Sequence, residues 1–247
     1  MRKRRLNQGV FRLLAKGNSQ RGIAQILAID PRTVAVRVRK FGACAKKHLA
    51  QQRLNMSKVS EVVFDEMESF EHTKLKPLTI PIAVEKKSRK ILALNVGKIA
   101  AKGHLASLGK RKYGLRKCER KSLLNKLFKD LKSCTLRQAV FISDESPHYP
   151  NVLRRHFKDG IHQTFKGRRA AVVGQGEMKR GGFDPLFTLN QTAAMIRDNV
   201  KRMTRKTWCT TKTIARLDDL LHIYAFYHNQ ILEGVKRPSL FNCLSSN

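Results

Sequence analysis

Acidic residues are scarce in this chain of 247 residues. Its 18 Asp and Glu stand against 51 Lys and Arg, which gives a net charge of +33. The hydrophobic content of 41% is close to that of ordinary globular proteins, so the excess charge belongs to a folding sequence and not to a disordered tail. Because Lys and Arg neutralise phosphates and release counterions, this excess predicts a polyanionic partner, with nucleic acid as the first candidate.

The sequence also lacks long apolar runs and paired cysteines. No run has the length of a membrane span, and the basic residues 1–5 are not followed by a signal-peptide core, so we expect a soluble cytoplasmic protein with no membrane contact. The five cysteines are odd in number and scattered, without a Cys-x-x-Cys pair. This usage predicts reduced thiols and no structural zinc.

Three short helices are predicted at the start of the chain. The first spans residues 7–16, the second follows the capping residues Asn18 and Ser19, and the third begins at Pro31. The surface of the third helix carries polar and basic residues, namely Arg32, Thr33, Arg37 and Lys40. This pattern predicts a helix-turn-helix DNA-binding domain over residues 1–45. An ordinary three-helix bundle with a solvated basic face is the alternative.

The hydrophobic period changes after a basic linker at residues 46–58. The following residues predict strands at 62–67, 78–84, 91–96, 138–144 and 161–165, and helices at 119–133 and 150–157. Residues 97–118 give no assignment. The alternation predicts an α/β domain over residues 59–232 in which helices pack on a mixed sheet.

The end of the chain is predicted to be helical. A loop at 167–183 precedes two helices, at 190–205 and 213–227, and the tail at 233–247 is predicted to fray. The first of these helices and the residues after it form a basic ridge suited to phosphate contacts, made of Lys201, Arg202, Arg205, Lys206 and Lys212. A solvated basic face is the alternative interpretation.

Two aspartates stand at or near the ends of predicted buried strands. Asp65 follows the run Val62-Val63-Phe64 inside the acid-rich segment 61–71, and Asp144 ends the run 138–144. A buried carboxylate needs a partner, a metal or neutralisation, and hard cations such as Mg²⁺ prefer oxygen ligands. An Asp after a strand can also be only a turn or capping residue.

Three stretches carry a family resemblance. They are the wording of residues 21–38 (Arg-Gly-Ile-Ala-Gln-Ile-Leu to Arg-Thr-Val-Ala-Val-Arg-Val), residues 190–212 (Asn-Gln-Thr-Ala-Ala-Met-Ile onwards) and residues 217–229 (Leu-Asp-Asp-Leu-Leu-His-Ile-Tyr-Ala-Phe-Tyr-His-Asn). With the two aspartates, they resemble DDE-type transposases of bacterial insertion sequences, closest to the insertion-sequence-one kind. The resemblance implies an RNase H-like catalytic domain.

The resemblance also implies a site. In that superfamily two aspartates and a third acidic or amide residue hold two divalent ions, Mg²⁺ or Mn²⁺, and the matching positions are Asp65, Asp144 and Asn190. The third position departs from the usual glutamate. The other candidates for it are Glu177, Asp184 and Asp198.

The function implied is that of a transposase associated with the bacterial nucleoid. It would bind the terminal inverted repeats of its element and a target, both double-stranded DNA, and then cleave and transfer strands as a dimer or higher assembly. The alternatives are a catalytically impaired DNA-binding repressor, which the non-acidic third position favours, and an RNase H-like nuclease. The family often has a zinc-binding segment before its helix-turn-helix, and no such cysteines are present.

Overall fold

The structure is a computed structural model that describes residues 4–167, 178–179, 182–204 and 209–240. Its helices are α1 (Asn7–Ala15), α2 (Gln20–Ile26), α3 (Pro31–Asn55), α4 (Leu105–Tyr113), α5 (Arg120–Leu131), α6 (Pro150–His156), α7 (Phe187–Asn199) and α8 (Ile214–Leu232). Its strands are β1 (Val59–Phe70), β2 (Pro77–Glu85), β3 (Ile91–Leu94), β4 (Gly97–Lys98), β5 (Thr135–Ser143), β6 (Ile161–Thr164), β7 (Met178–Lys179) and β8 (Gly182–Phe183). Short 3-10 turns lie at Arg4–Leu6 and Lys201–Met203.

The main sheet is mixed and has the strand order β3-β2-β1-β5-β6, with β4 paired to β2. The pairs β1–β2 and β2–β3 are antiparallel, whereas β1–β5 and β5–β6 are parallel. The predicted α/β class with a mixed sheet is confirmed. The strand order and directions are consistent with the RNase H-like prediction.

Alternating residues of β1 divide the core into two layers. Val63 and Met67 pack in a cluster with residues of α3, α7 and α8. Phe64 faces the other way, into a cluster with α5 and α6, where its ring centroid lies 5.1 Å from that of Phe128 and 5.0 Å from that of Tyr149. Because a strand's side chains alternate, β1 is buried on both faces, as expected of a central strand.

The three predicted N-terminal helices are present. Ser19 Oγ accepts a 3.0 Å hydrogen bond from the Gly22 N–H and caps α2, and Asp30 Oδ1 accepts a 2.6 Å bond from the Arg32 N–H at the start of α3. The turn between α2 and α3 places Ala28 at a φ of 48°. This conformation is uncommon for a residue with a side chain.

Helix α3 runs through most of the predicted linker, to Asn55, and packs along α8. The Phe11 ring of α1 contacts the rings of Phe41 in α3 and Phe226 in α8, each with a centroid separation of 6.1 Å. The N-terminal helices therefore share one apolar cluster with α7 and α8. The domain boundaries at residues 45 and 58 stay a prediction.

Several predicted elements have different bounds. Helix α7 ends at Asn199 and not at residue 205, because Val200 has extended backbone (φ −105°, ψ 99°) before the 3-10 turn. In the tail that was predicted to fray, residues 233–240 contact the rest of the protein: Leu240 is buried, and the Ser239 N–H donates a 3.1 Å bond to Gln230 Oε1. Fraying of the tail stays a prediction. Helix α4 occupies part of the segment that the sequence left unassigned. Most of the predicted loop at 167–183 lies outside the described residues.

None of the described helices is both long enough and apolar enough to cross a membrane.

Candidate functional site

The parallel pairing of β1 with β5 brings the two predicted aspartates to one place. Val63 is the partner of Ile142, and two residues farther along each strand stand Asp65 and Asp144. Asp144 directly follows β5, whereas Asp65 lies within β1 and not at its end as predicted, since β1 continues to Phe70. The aspartates are 79 residues apart in sequence, and neighbouring strands are roughly 5 Å apart in such a sheet.

Each carboxylate accepts hydrogen bonds that fix its position. Asp65 Oδ1 accepts a 2.6 Å bond from the Glu66 N–H and a 3.0 Å bond from the Tyr149 hydroxyl. Asp144 Oδ1 accepts a 3.1 Å bond from the Ser146 N–H, which closes the turn after β5. Because these bonds leave other oxygen lone pairs available, both groups keep the capacity to bind a further donor or a cation.

The electrostatics of the pair are unfavourable for two negative charges. Burial raises the pKa of Asp65 to about 6, and the negative charge of Asp144 acts in the same direction, while the bonds from Glu66 and Tyr149 oppose the rise. Burial and the neighbouring carboxylates also raise the pKa of the Tyr149 hydroxyl, which stays a neutral donor. Two like charges in a partly desolvated site require a positive partner or a shared proton.

The carboxylates of Asp65 and Asp144 are suitable ligands for a hard divalent cation. Among the described residues, however, no three His, Cys, Asp or Glu side chains converge on one point that could hold a metal ion. In this arrangement no third acidic side chain of the described residues stands with Asp65 and Asp144. Amide ligands such as Asn190 are not among these four side-chain types.

Asn190 lies in the first turns of α7 and contacts Asp184. Its Nδ2 donates a 2.7 Å hydrogen bond to Asp184 Oδ2, and the Leu186 N–H donates a 3.1 Å bond to the other carboxylate oxygen. Asp198 lies on the last turn of α7, where its carbonyl would lie 3.1 Å from a Cβ added at Gly17. Glu177 lies outside the described residues. The third ligand stays a prediction for each of these four candidates.

Arg37 does not lie on the surface of α3, where it was predicted, because its side chain is turned into the helical core and is 1% exposed. Its Nε donates a 2.8 Å hydrogen bond to Asn7 Oδ1, and its Nη1 lies 3.4 Å from the Thr33 carbonyl oxygen. Burial lowers the pKa of its guanidinium. Arg37 therefore joins α3 to α1.

A groove of about 790 Å³ brings together basic residues of the N-terminal helices and of the predicted basic ridge. Its cations are Arg21, Arg32, Lys201, Arg202 and Lys212, and no acidic residue is among the described residues that line it. The groove thus joins the surface of the N-terminal helices to the basic ridge after α7, which the sequence pattern predicted as two separate surfaces. We call it the basic groove.

Of the other predicted DNA-binding residues, Thr33 and Lys40 do not line this groove, and two lie outside the described structure. Lys40 is exposed farther along α3, and Thr33 is half-buried. Arg202 Nη1 donates a 2.7 Å bond to the Thr210 carbonyl, which positions its guanidinium at the groove. Arg205 and Lys206 lie outside the described residues. The role of all these residues in binding DNA stays a prediction.

Sequence reasoning missed Tyr149 as a member of the aspartate site. Tyr149 is 1% exposed and directly precedes α6, which places its hydroxyl beside a strand 84 residues earlier. No local pattern marks it, because the contact exists only after α6 has packed on the sheet.

Comparisons with known proteins add only distant matches. No protein-family model and no curated protein matches this sequence. The chain is similar, at 9% identity, to the solved structure of the catalytic domain of Mos1 mariner transposase, with a TM-score of 0.28 over 82% of this chain and 95% of that chain. The Mos1 strand transfer complex gives a TM-score of 0.28 over 94% and 78%, and a pre-cleavage Mos1 transpososome 0.25 over 94% and 79%, each at 9% identity. Scores of this size do not establish a shared fold.

Proposed function

We propose that this protein is a DDE-type transposase, which binds the ends of a DNA element and cleaves and joins DNA strands with divalent metal ions at Asp65 and Asp144. The observation that supports this proposal best is the strand register that makes the two aspartates neighbours. A pair of partly buried like charges is a costly arrangement, and active sites are where such pairs concentrate.

Asp65 and Asp144 would hold the metal, with Asn190 as the proposed third ligand. A bound divalent ion would supply Lewis-acid activation of water or a 3′-hydroxyl and stabilise the leaving oxygen of an in-line displacement. The chain's own residues prepare this site: the Tyr149 hydroxyl and the Glu66 N–H hold the Asp65 carboxylate, and the Ser146 N–H holds that of Asp144. The stronger cation attraction of the ionised pair is available above about pH 6, where Asp65 loses its proton.

The basic groove would hold duplex DNA. Its five cations come from the first turns of α2 and α3 and from the segment after α7, so one duplex could contact both parts of the protein. Phosphate contacts of this kind position a duplex without reading its sequence, and we assign sequence recognition to the exposed N-terminal part of α3. A dimer or higher assembly is part of the proposal, because two element ends must be joined.

The test is nicking of a labelled duplex that carries the DNA flanking the gene, with Mg²⁺ or Mn²⁺ present. We expect Asp65→Asn and Asp144→Asn to abolish nicking and to retain duplex binding, and Asn190→Ala to reduce nicking. Asp159→Asn is the matched control, because Asp159 is exposed after α6 and lies outside the proposed site. Nicking that survives both active-site substitutions would contradict the assignment.

A DNA-binding repressor is the second candidate. The observation that favours it is that, among the described residues, no group of three acidic, His or Cys side chains is arranged to hold a metal ion. It predicts tight binding to the element ends by the wild-type protein and no nicking with either metal ion. Nicking without preference for the element ends and without strand joining would instead indicate an RNase H-like nuclease.

A further inference from the structure

Two acidic side chains of β1, and Glu71 directly after it, fasten a basic segment, residues 98–120, to the sheet. Three ion pairs join them: Arg120 to Glu66 at 3.0 Å, Lys102 to Glu68 at 2.8 Å, and Arg116 to Glu71 at 3.4 Å. Glu66 also accepts a 2.6 Å hydrogen bond from Thr79. The concentration of acids in the sequence from 61 to 71 thus has a structural role, which is to hold this segment over the end of β1.

A second groove, of about 660 Å³, lies under this segment. It is bounded by α4, the residues that follow α4 as far as Glu119, the turn after β1 and the residues after β4. Small residues form part of its lining, among them Ala100, Ala101, Ala106 and Gly109. A Cβ at Gly109 would lie 3.3 Å from that of Ala101 and 3.4 Å from the Leu75 carbonyl oxygen, so a larger residue at this position would contact both closely. We call this site the α4 groove.

The α4 groove carries unneutralised positive charge. Lys76, Lys98, Lys110 and Lys117 line it, and none of them lies within ion-pair distance of a carboxylate in the described part of the chain. Two acids also line the groove, but both are engaged: Glu71 pairs with Arg116, and Glu119 Oε2 accepts a 2.8 Å hydrogen bond from the Lys98 N–H. A polyanion entering the groove would therefore meet an excess of cations.

An exposed aromatic ring lies at the rim of the α4 groove. Tyr113, at the end of α4, is 41% exposed, and Lys76 Nζ lies 4.4 Å from its ring centroid. Lys112 Nζ lies 5.7 Å from the same centroid. Both ammonium groups lie over the ring, so a nucleobase that stacks on Tyr113 would take the place of one of them and leave that lysine to pair with a phosphate. Aromatic stacking with a nearby counter-charge is the combination that single-stranded nucleic acids require.

We propose that the α4 groove binds an unpaired stretch of a DNA strand, with phosphates near Lys98, Lys110 and Lys117 and one base against Tyr113. A duplex does not fit this description, because its bases are stacked on each other and expose no face to the ring. Glu71 is six residues beyond Asp65, so the groove begins about 20 Å along the strand direction from the proposed metal site. A strand separated near Asp65 could reach it.

The inference goes beyond the proposed function and can be tested without catalysis. The protein would be titrated into a fluorescein-labelled oligothymidylate of about 15 nucleotides, near the upper end of the roughly 4–16 nucleotides that a single-strand-binding fold covers. The titrations would contain EDTA and be repeated at several salt concentrations. We expect Tyr113→Leu to weaken binding about tenfold at an unchanged salt slope. The double variant Lys110→Ala/Lys117→Ala should lower the magnitude of the slope by about 1.4, since each phosphate contact contributes about 0.7 on a single strand.

Two controls keep the test specific. Lys126→Ala/Lys129→Ala removes the same charge from the exposed side of α5, outside the α4 groove, and should leave affinity within about twofold. Tyr113→Phe, which keeps the ring, should bind as the wild type does, and thermal unfolding of each variant checks that it is folded. Asp65→Asn should also bind the oligonucleotide normally, so failure of the proposed nicking activity would not affect this result.

Unchanged binding by folded Tyr113→Leu would overturn the proposal, and so would an equal loss in the α5 control. Displacement of the oligonucleotide by polyglutamate, equally from the wild type and from Tyr113→Leu, would show that the groove takes any acidic polymer and would also overturn it.

Discussion

The Tyr149 hydroxyl donates a 3.0 Å hydrogen bond to Oδ1 of Asp65, and so joins the residue before α6 to the middle of β1. Because the bond favours the ionised carboxylate, removing it should raise the pKa of Asp65 further. We expect Tyr149→Phe, which retains the ring packed against Phe64, to show this upward shift in a carboxyl ¹³C NMR titration. The cost to the free energy of unfolding should be about 1 kcal/mol. A downward shift, or none, would contradict the contact.

The raised pKa of Asp65 predicts that the free energy of unfolding falls as the pH rises. Its pKa is about 6 in the folded protein against an ordinary value of 3.8, so the folded state binds the proton more tightly and loses stability as the pH rises from about 4 through 6. In EDTA at about pH 8, Asp65→Asn should therefore be more stable than the wild type by roughly 1–3 kcal/mol, from 1.36 kcal/mol per pKa unit reduced for partial exposure. Near pH 4 the two should be alike. Denaturant unfolding across this range gives the measurement, and a less stable variant at pH 8 would count against the desolvated pair.

Substitutions at Arg37 and Arg32 should separate stability from DNA binding. Arg37→Ala leaves Asn7 without its partner in the core and should lower the free energy of unfolding by roughly 2–4 kcal/mol. Arg32→Ala, on the exposed start of α3, should stay within about 0.5 kcal/mol of the wild type. It should instead weaken duplex binding and reduce the salt slope by about 1. Thermal unfolding and anisotropy with a duplex measure the two effects, and the reverse pattern would place Arg37 at the DNA surface after all.

Asn229 should be important for the stability of the sheet edge. Its Oδ1 accepts a 2.8 Å bond from the Ile91 N–H and its Nδ2 donates a 3.0 Å bond to the Ile91 carbonyl, so α8 satisfies both main-chain groups of this β3 residue. Asn229→Ala leaves both buried groups unpaired and should cost about 2–4 kcal/mol in urea unfolding. Asn55→Ala, at the exposed end of α3, is the control and should change little. Equal effects of the two substitutions would argue against a specific role of the Ile91 bonds.

The sheet and its aspartates could be predicted because their signals are local. Residues 62–64 and the residues before Asp144 are apolar runs, and both form buried strands. The parallel register of β1 with β5 then makes the two aspartates neighbours. The extension of β1 to Phe70 was missed because Glu66 and Glu68 resemble solvated positions. Their partners are Arg120, in the helix predicted at 119–133, and Lys102, in the segment 97–118 that gave no assignment.

The remaining errors concern contacts between distant parts of the chain. Arg37 has the chemistry of a surface residue, and its burial depends on a hydrogen bond to Asn7, thirty positions earlier, which no local pattern shows. Residues 46–55 look like a basic linker because the apolar side of that stretch is narrow, with Leu49 as its buried residue facing the shared core. Helix α8 supplies the packing that extends α3, and no pattern within residues 46–58 encodes it.

The length of α3 limits which segments of this protein can be exchanged for those of another protein. Since α1 and α3 pack against α8, a fragment ending near residue 45 would expose Phe11, and a fragment beginning near residue 59 would expose Phe226. We therefore expect that the N-terminal helices cannot be exchanged for those of another protein as an independent unit. A functional chimaera would have to transfer the facing side of α8 together with them.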